Sequence, residues 1–479
     1  MKKEYQLPTT DLLIKEDIDS KDRRMTSQKS YIENIEQAFQ ELGINVSEVK
    51  EKACKFNSLY EVLLEERATS RELRRFEDSL ALKLNVGRVR IVSVSGRASI
   101  DIEIYNTSAS VVDFREMLDS EEFRKAEGAL CFALGKSSDG GRIIVDLKEM
   151  RHLLVAGMTG SGKDPCLHSI LLSILFRAKP DEVKLILIDP GLVDLYRYNN
   201  LPHLLVPVVV DTERAVMALS YAVTITNDRL KIISEYNVKD LDEYNEKMRE
   251  NSQYEKAMPQ IVIAINELSH MMEEASSKTQ ELISRLAAKS SAAGIHMVVC
   301  TQRPKMKILS DAIRANIPSR IAFHVSSKAE SRIILDKPGA ERLQAHDDML
   351  FSPMGIQPLH VQGVFLRSTD ISNIIDAIKK QMGSDYCDDA MSHIVLPPIQ
   401  TQGQLDEIDE LFLPTLKMVL KEKCASPSMI QRHFRIGYYR AVGLLELMEE
   451  YGIVGPYGGT NRPSQLLMDE GEIRERYFG

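Results

Sequence analysis

Leu153-Leu154-Val155-Ala156-Gly157-Met158-Thr159-Gly160-Ser161-Gly162-Lys163-Asp164 joins an apolar strand to a glycine loop, a lysine and the start of a helical pattern. In a G-x-x-x-x-G-K loop the glycines let backbone N–H groups converge on phosphate oxygens, the following helix points its positive end at them, and the lysine neutralises charge. Gly157, Gly160, Gly162 and Lys163, with Met158, Thr159 and Ser161 between them, make this a candidate nucleotide-binding loop. The next position ordinarily holds a Ser or Thr whose hydroxyl binds Mg²⁺. Here it is Asp164, an anion beside a polyanion.

A second apolar run, Ile261-Val262-Ile263-Ala264-Ile265, ends in Asn266-Glu267. A strand of this kind ordinarily ends in acid, because Mg²⁺ needs a carboxylate nearby and water needs a base. Glu267 is the candidate base; Asn266 is an amide where a carboxylate is expected. Both runs belong to a stretch, 130–385, that alternates strands and helices like a parallel, doubly wound sheet. Its expected strands are 142–147, 153–156, 185–188, 205–210, 261–265, 296–300 and 320–324, with long helices over 213–235 and 273–293.

Upstream, residues 1–28 read as a linker or arm, with Pro8 and scattered charge. Over 29–136 the pattern is that of a small α+β domain. Helical spacing runs from Ser30 to about Asn57 with Gly43 as its stop, strands fall at 60–64, 88–94 and 99–104, and a helix covers 70–84. Downstream of a linker (386–403), residues 404–479 carry helical starts near Leu405, Ser426 and Ile436, as in a winged helix-turn-helix. The 479-residue chain suits about three domains of roughly 150 residues each.

Composition excludes several classes. No apolar run reaches the ~18 residues of a bilayer span, and the N-terminus lacks the apolar core of a signal peptide, so a cytoplasmic protein is expected. Six cysteines without C-x-x-C spacing read as reduced core thiols, and the ten histidines include no H-E-x-x-H. A net charge of −9 confines any nucleic-acid contact to a local basic stripe or pore.

Across these segments the sequence resembles the FtsK/SpoIIIE DNA translocases. The matching blocks include Ala133-Leu134-Gly135-Lys136, His152 to Gly157, Ile188-Asp189-Pro190, Leu201-Pro202-His203-Leu204, Thr301-Gln302-Arg303-Pro304, Ala315 to Phe323, and Met448 to Pro456. The resemblance implies a RecA-like P-loop NTPase domain over 137–385, preceded by the small α+β domain and followed by the winged helix. It further implies ATP and Mg²⁺ as cofactors, a homo-hexamer with nucleotide between protomers, and double-stranded DNA as partner. The membrane-spanning region of full-length relatives is not in this sequence, so the chain is expected to correspond to their motor part.

Roles follow from the same blocks. Gln302 would sense the γ-phosphate, Arg320 and Arg332 would serve a neighbouring subunit's nucleotide, and Arg432, Arg435, Tyr439 and Arg440 would face DNA. Three positions depart from the family pattern: Asp164 for Ser/Thr, Asn266 for Asp, and Gly191 for Lys. The turn Ala345-His346-Asp347 also replaces a glycine-rich one. Either the motor has lost metal ligation and serves as a DNA-binding scaffold, or the carboxylate has changed places, Asp164 ligating Mg²⁺ and Asn266 orienting the metal's water. Like charges at 4 Å repel by about 4 kcal/mol at an effective dielectric near 20, so the second case leans on the metal. In the terminal helix, Tyr439 and Gly443 stand where the family commonly has Asn and Arg, residues that read adenine and guanine edges, which leaves mainly phosphate contacts.

Overall fold

The computed structural model describes residues 5–14, 31–41, 44–52, 57–64, 76–77, 79–81, 83–84, 86, 89–93, 99–105, 111–191, 194–344, 347–394, 411–436, 438–450, 453–455, 464–467 and 473. They fall into two compact units, 1–394 and 395–479.

The first unit opens with residues 5–14, an arm laid along the larger domain. Tyr5 and Leu13 are buried, Arg115 donates to the Leu13 carbonyl at 2.8 Å, and the Ile14 N–H reaches Asp370 at 3.0 Å. Then come α1 (Ile32–Glu41), β1 (Val46–Lys52), β2 (Asn57–Leu64), β3 (Val89–Ser93) and β4 (Ser99–Tyr105), an antiparallel sheet in the order β1-β2-β4-β3. Ile100, Ile102 and Ile104 alternate inward on β4 and meet Ile35, Ala38 and Phe39 of α1. The helical spacing expected to run toward Asn57 stops at Glu41. Val46–Lys52 is rich in helix formers, yet it is an edge strand, because pairing with β2 overrides local propensity. Of the expected helix over 70–84, the described residues 76–77, 79–81 and 83–84 are helical; Gly43 lies outside the described residues.

The larger domain comprises β5 (Val112–Asp113), α2 (Phe114–Leu118), α3 (Glu121–Lys125), β6 (Cys131–Ser137), β7 (Arg142–Asp146), α4 (Leu147–Met150), β8 (His152–Ala156), α5 (Lys163–Arg177), β9 (Val183–Ile188), α6 (Thr212–Glu235), α7 (Leu241–Glu250), β10 (Gln260–Ile265), α8 (Leu268–Glu274), α9 (Ser276–Lys289), β11 (Ile295–Thr301), α10 (Asp311–Asn316), β12 (Ser319–Ala322), α11 (Lys328–Leu335), β13 (Asp348–Ser352), β14 (Leu359–Phe365), α12 (Ser368–Gln381) and α13 (Asp388–Ile394). Among the described residues ten strands form one sheet, ordered β7-β6-β14-β13-β12-β8-β11-β10-β9 with β5 on β14. The change of sheet therefore lies between Tyr105 and Val112, upstream of the 136/137 boundary expected from the sequence.

The sheet is mixed rather than purely parallel. From β12 to β9 all pairs are parallel, whereas β13, β14, β6 and β7 join antiparallel. Alternate residues of β8 serve opposite layers: Leu153 and Val155 enter the core with α5 and α12, Leu154 and Ala156 the core with α6, α8 and α9. The segment 205–210, expected as a strand, makes only isolated bridges to β9. Leu205 N–H donates to the Leu185 carbonyl at 3.0 Å, but Pro207 has no N–H to continue the ladder, and Val209 takes over to Leu187 at 2.9 Å. The helix expected over 273–293 is three pieces, broken at Ala275 (φ −132°, ψ 44°) and again at Ser290, where a 3₁₀ turn leads to left-handed Gly294.

In the second unit, α14 (Phe412–Glu422), α15 (Pro427–Phe434) and α16 (Tyr438–Glu450) pack Phe412, Leu416, Ile430, Leu444, Leu445 and Met448 together. Ser426 caps α15 through the Met429 N–H, and β15 (Cys424–Ala425) pairs antiparallel with β16 (Ser464–Gln465) as the base of a wing. The helix start expected near Leu405 lies outside the described residues.

Gly135, at φ 155° in the bulge of β6, lets β6 lie close against β14: a β-carbon there would lie 2.0 Å from the Gln362 carbonyl oxygen of β14. Gly135→Ala should destabilise the chain by about 2 kcal/mol or more in chemical unfolding. A neutral result would mean that β6 and β14 are not in this register.

Candidate phosphate-binding site

The loop 157–162 leaves β8 between β11 and β12. Its exit is fixed by the Gly157 N–H to the Thr301 carbonyl at 3.2 Å and the Met158 N–H to the His324 carbonyl at 2.9 Å. A β-carbon at Gly157 would meet Phe323 Cβ at 2.5 Å, and Gly162 stands at φ 110° as the N-cap of α5. A β-carbon on Gly162 would in turn lie 2.6 Å from Asp347 Cα. The Asp347 peptide is clasped on its other side too, its N–H donating to the Ser161 carbonyl at 3.3 Å and its carbonyl accepting from the Gly363 N–H at 2.6 Å. The Ser161 hydroxyl is buried without a hydrogen-bond partner among the described residues. Of the altered turn at 345–347 only Asp347 is described, at φ 66°.

Lys163 opens α5 and is 1% exposed. Burial works against its charge, but the electrostatic pull of Cys300, Asp164 and Glu267 overcomes that and raises its pKa. Its ammonium donates to Asp164 Oδ1 and, at 3.4 Å, to Asn266 Oδ1. The amide end of Asn266 donates to Asp189 Oδ1 at 3.1 Å and Asp194 Oδ2 at 3.3 Å. Asp189 also accepts from the N–H groups of Asp194 and Leu195, each at 2.9 Å. Burial, followed by the charge of Asp164, raises the pKa of Asp194, and the Asn266 hydrogen bond partly offsets this.

Glu267 ends β10 and caps α8. It accepts from the Thr301 hydroxyl at 2.9 Å, the Gln302 N–H at 2.7 Å and the Ser269 N–H at 3.0 Å. These bonds fix its carboxylate without a cation. Gln302 lies next to the loop, its side-chain amide oxygen accepting from the Thr159 hydroxyl at 2.7 Å. The structure thus gathers Lys163, Asp164, Asn266, Glu267 and Gln302 around one strand end.

The two arginines differ. Arg320 donates to the carbonyls of Ile317, Ile334 and Arg314 at 3.2, 2.9 and 2.8 Å and pairs with Asp336 at 2.5 Å, so it is committed within its own chain. That use leaves Arg320 fewer donors than Arg332 has for a neighbour. Arg332 is exposed on α11 and makes no ion pair with a described residue.

Mg²⁺ takes oxygen ligands, keeps several waters, and is usually held by one or two carboxylates plus substrate phosphates. Among the described residues no three His, Cys, Asp or Glu side chains converge as a protein-only cage. A carboxylate at the head of α5 with Asp189 and Asp194 behind Asn266 fits an ion shared with phosphates.

The acids at 189 and 194 escaped the sequence reading, although the first lies in the quoted Ile188-Asp189-Pro190 block. The buried pair Asp348–His360 also escaped it; Asp348 further accepts from the Gln344 N–H at 2.8 Å and closes the loop that carries Asp347. Nothing in the spacing of Asp348 and His360 announces that they face each other across β13 and β14.

In the second unit Arg432, Arg435 and Arg440 are all exposed. Arg435 sits left-handed at φ 54° in the turn between α15 and α16. Arg440 and Gly443 lie on α16 away from buried Ala441, Leu444 and Leu445, and a β-carbon on Gly443 meets nothing within 4 Å. Tyr439 is helical; its side chain and residues 457–459 lie outside what is described.

A model of the FtsK/SpoIIIE family matches residues 113–306, one of the FtsK alpha domain residues 7–106, and one of the FtsK gamma domain residues 406–468. A DNA translocase FtsK of Bacillus cereus is 38% identical over 98% of this chain and 59% of its own length. The DNA translocase SpoIIIE of Bacillus subtilis is 37% identical over 99% and 60%. The chain thus spans about 60% of the length of these relatives. Among solved structures, a pCW3 conjugation coupling protein TcpA monomer with ATPgS aligns at TM-score 0.52 and 21% identity, covering 74% of this chain and 99% of that one. The cytoplasmic domain of the Thermomonospora curvata type VII secretion ATPase EccC aligns at 0.52 and 18%, over 61% and 36%. At these identities the likeness is one of fold.

Proposed function

The chain belongs to the FtsK/SpoIIIE family, and from that premise we propose that it binds ATP at the loop 157–163 and uses it to move double-stranded DNA. The observation that carries this reading is a buried, positively charged Lys163 at the head of α5, with a fixed carboxylate, Glu267, at the end of β10, two strands from β8 in the sheet. Lys163 and the α5 N-terminus would hold phosphates, Glu267 would orient water, and Gln302 would sense the terminal phosphate through the loop. Mg²⁺, held by Asp164 and the phosphates with Asn266 orienting its water, would supply charge neutralisation. Asp164 leaves Lys163 on nucleotide binding, so the altered loop is compatible with turnover.

The assembly follows the same reading: a homo-hexamer around DNA, with Arg332 rather than Arg320 offered to the neighbouring nucleotide. Among the described residues no helix is long and apolar enough to cross a membrane, and the five described cysteines are free thiols. Both support a place on the cytoplasmic side, where DNA is. The winged unit would add a DNA contact through Arg432, Arg435 and Arg440.

Lys163→Ala should weaken ATP binding about 10- to 100-fold by calorimetry, since a charge-assisted contact is worth roughly 1.5–3 kcal/mol. Equal affinity of the variant would reject the site. The winged unit should bind duplex DNA weakly with steep salt dependence, and Arg440→Ala should lower affinity about equally on unrelated duplexes. A salt-insensitive preference of the parent for one short sequence would contradict this phosphate-led contact.

A further inference from the structure

An asparagine amide can sit in either of two orientations unless its neighbours choose one. At Asn266 they do. The two carboxylates Asp189 and Asp194 accept from one end, at 3.1 and 3.3 Å, which forces NH₂ there and turns Oδ1 toward the Lys163 ammonium at 3.4 Å. Asn266 and Asp189 are 4% and 1% exposed, so little water competes for these bonds. Asp194 is itself held by its N–H on Asp189 Oδ2.

We propose that Asp194, Asn266 and Lys163 form a positioning relay, in which Asp194 with Asp189 sets the Asn266 amide so that its oxygen aims the phosphate-binding lysine. Asp194 touches no reacting atom and acts through Asn266, and Asn266 bears on phosphate binding through Lys163. The relay accounts for the amide at 266. An aspartate there would stand about 3 Å from two carboxylates, with Asp164 also close and Lys163 the cation they share. The lysine that the family pattern places at 191 is a glycine in this chain, so the cation that would balance a further acid is missing from the same turn. Asn266 is thus matched to Asp194 and Gly191 rather than a lost ligand.

The relay rests on the reading of Lys163 as the phosphate-binding lysine, and its test separates the two. The full chain and the variants Asn266→Asp, Asp194→Asn and Asn266→Asp/Asp194→Asn are compared by calorimetric binding of Mg²⁺–ATPγS and by melting temperature without nucleotide. Asn266→Asp should bind at least about tenfold more weakly and melt about 3 °C or more lower, and the double variant should return to within about threefold of the parent in affinity and recover its melting temperature. In a Lys163→Ala background, Asp194→Asn should leave the residual affinity unchanged, a coupling that a purely structural role would not produce. An Asn266→Asp chain that binds as tightly as the parent, or a double variant no better than Asn266→Asp, would overturn the relay. If the parent fails to bind ATPγS, the nucleotide reading falls, and the melting temperatures still decide: recovery in the double variant supports the carboxylate–amide match, additive loss rejects it.

Discussion

A lysine ammonium that is 1% exposed governs its whole neighbourhood. A buried cation persists only when it is paired and hydrogen-bonded. Here Asp164 and the Asn266 side-chain oxygen satisfy it, and Asn266 is in turn fixed by Asp189 and Asp194. The lysine is held at that depth by backbone packing: Gly162 lies against the Asp347 peptide, which Gly363 supports from behind. Phosphate loop, parallel core and antiparallel extension therefore meet at one point, and a side chain at Gly162 would separate them.

The arrangement changes the meaning of the unusual residue after the loop lysine. Asp164 is not a stray charge, since it is the counter-ion of Lys163. Phosphates bound as proposed would compete for the same ammonium, and an ion shared between them and Asp164 would relieve the repulsion between the two anions. The departures at 164 and 266 meet at the Lys163 ammonium.

The parallel core was legible because β8, β9, β10, β11 and β12 are buried on both faces and read as continuous apolar runs. Glu267 and Gln302 stood out as candidates because each closely follows such a run, and Lys163 because it follows the glycine loop. The antiparallel strands β13 and β14 were not, since their identity depends on pairing across Asp347 and Gly363 rather than on period. Pro207 hid the difference between an apolar strand and a segment that merely bridges β9, and Val46–Lys52 kept helical composition while serving as a sheet edge. Arg320 carried the family pattern in sequence, yet its partners, three carbonyls and Asp336, are brought together by the ends of α10 and α11.

Whether this neighbourhood still drives a motor is decided most directly by steady-state ATP hydrolysis of the chain with Mg²⁺, with and without long duplex DNA. Hydrolysis that rises on adding duplex and vanishes in Glu267→Gln is the result expected of a translocase whose metal ligand has moved to Asp164. Tight ATP binding with no hydrolysis on any duplex would contradict it and leave a nucleotide-loaded DNA scaffold.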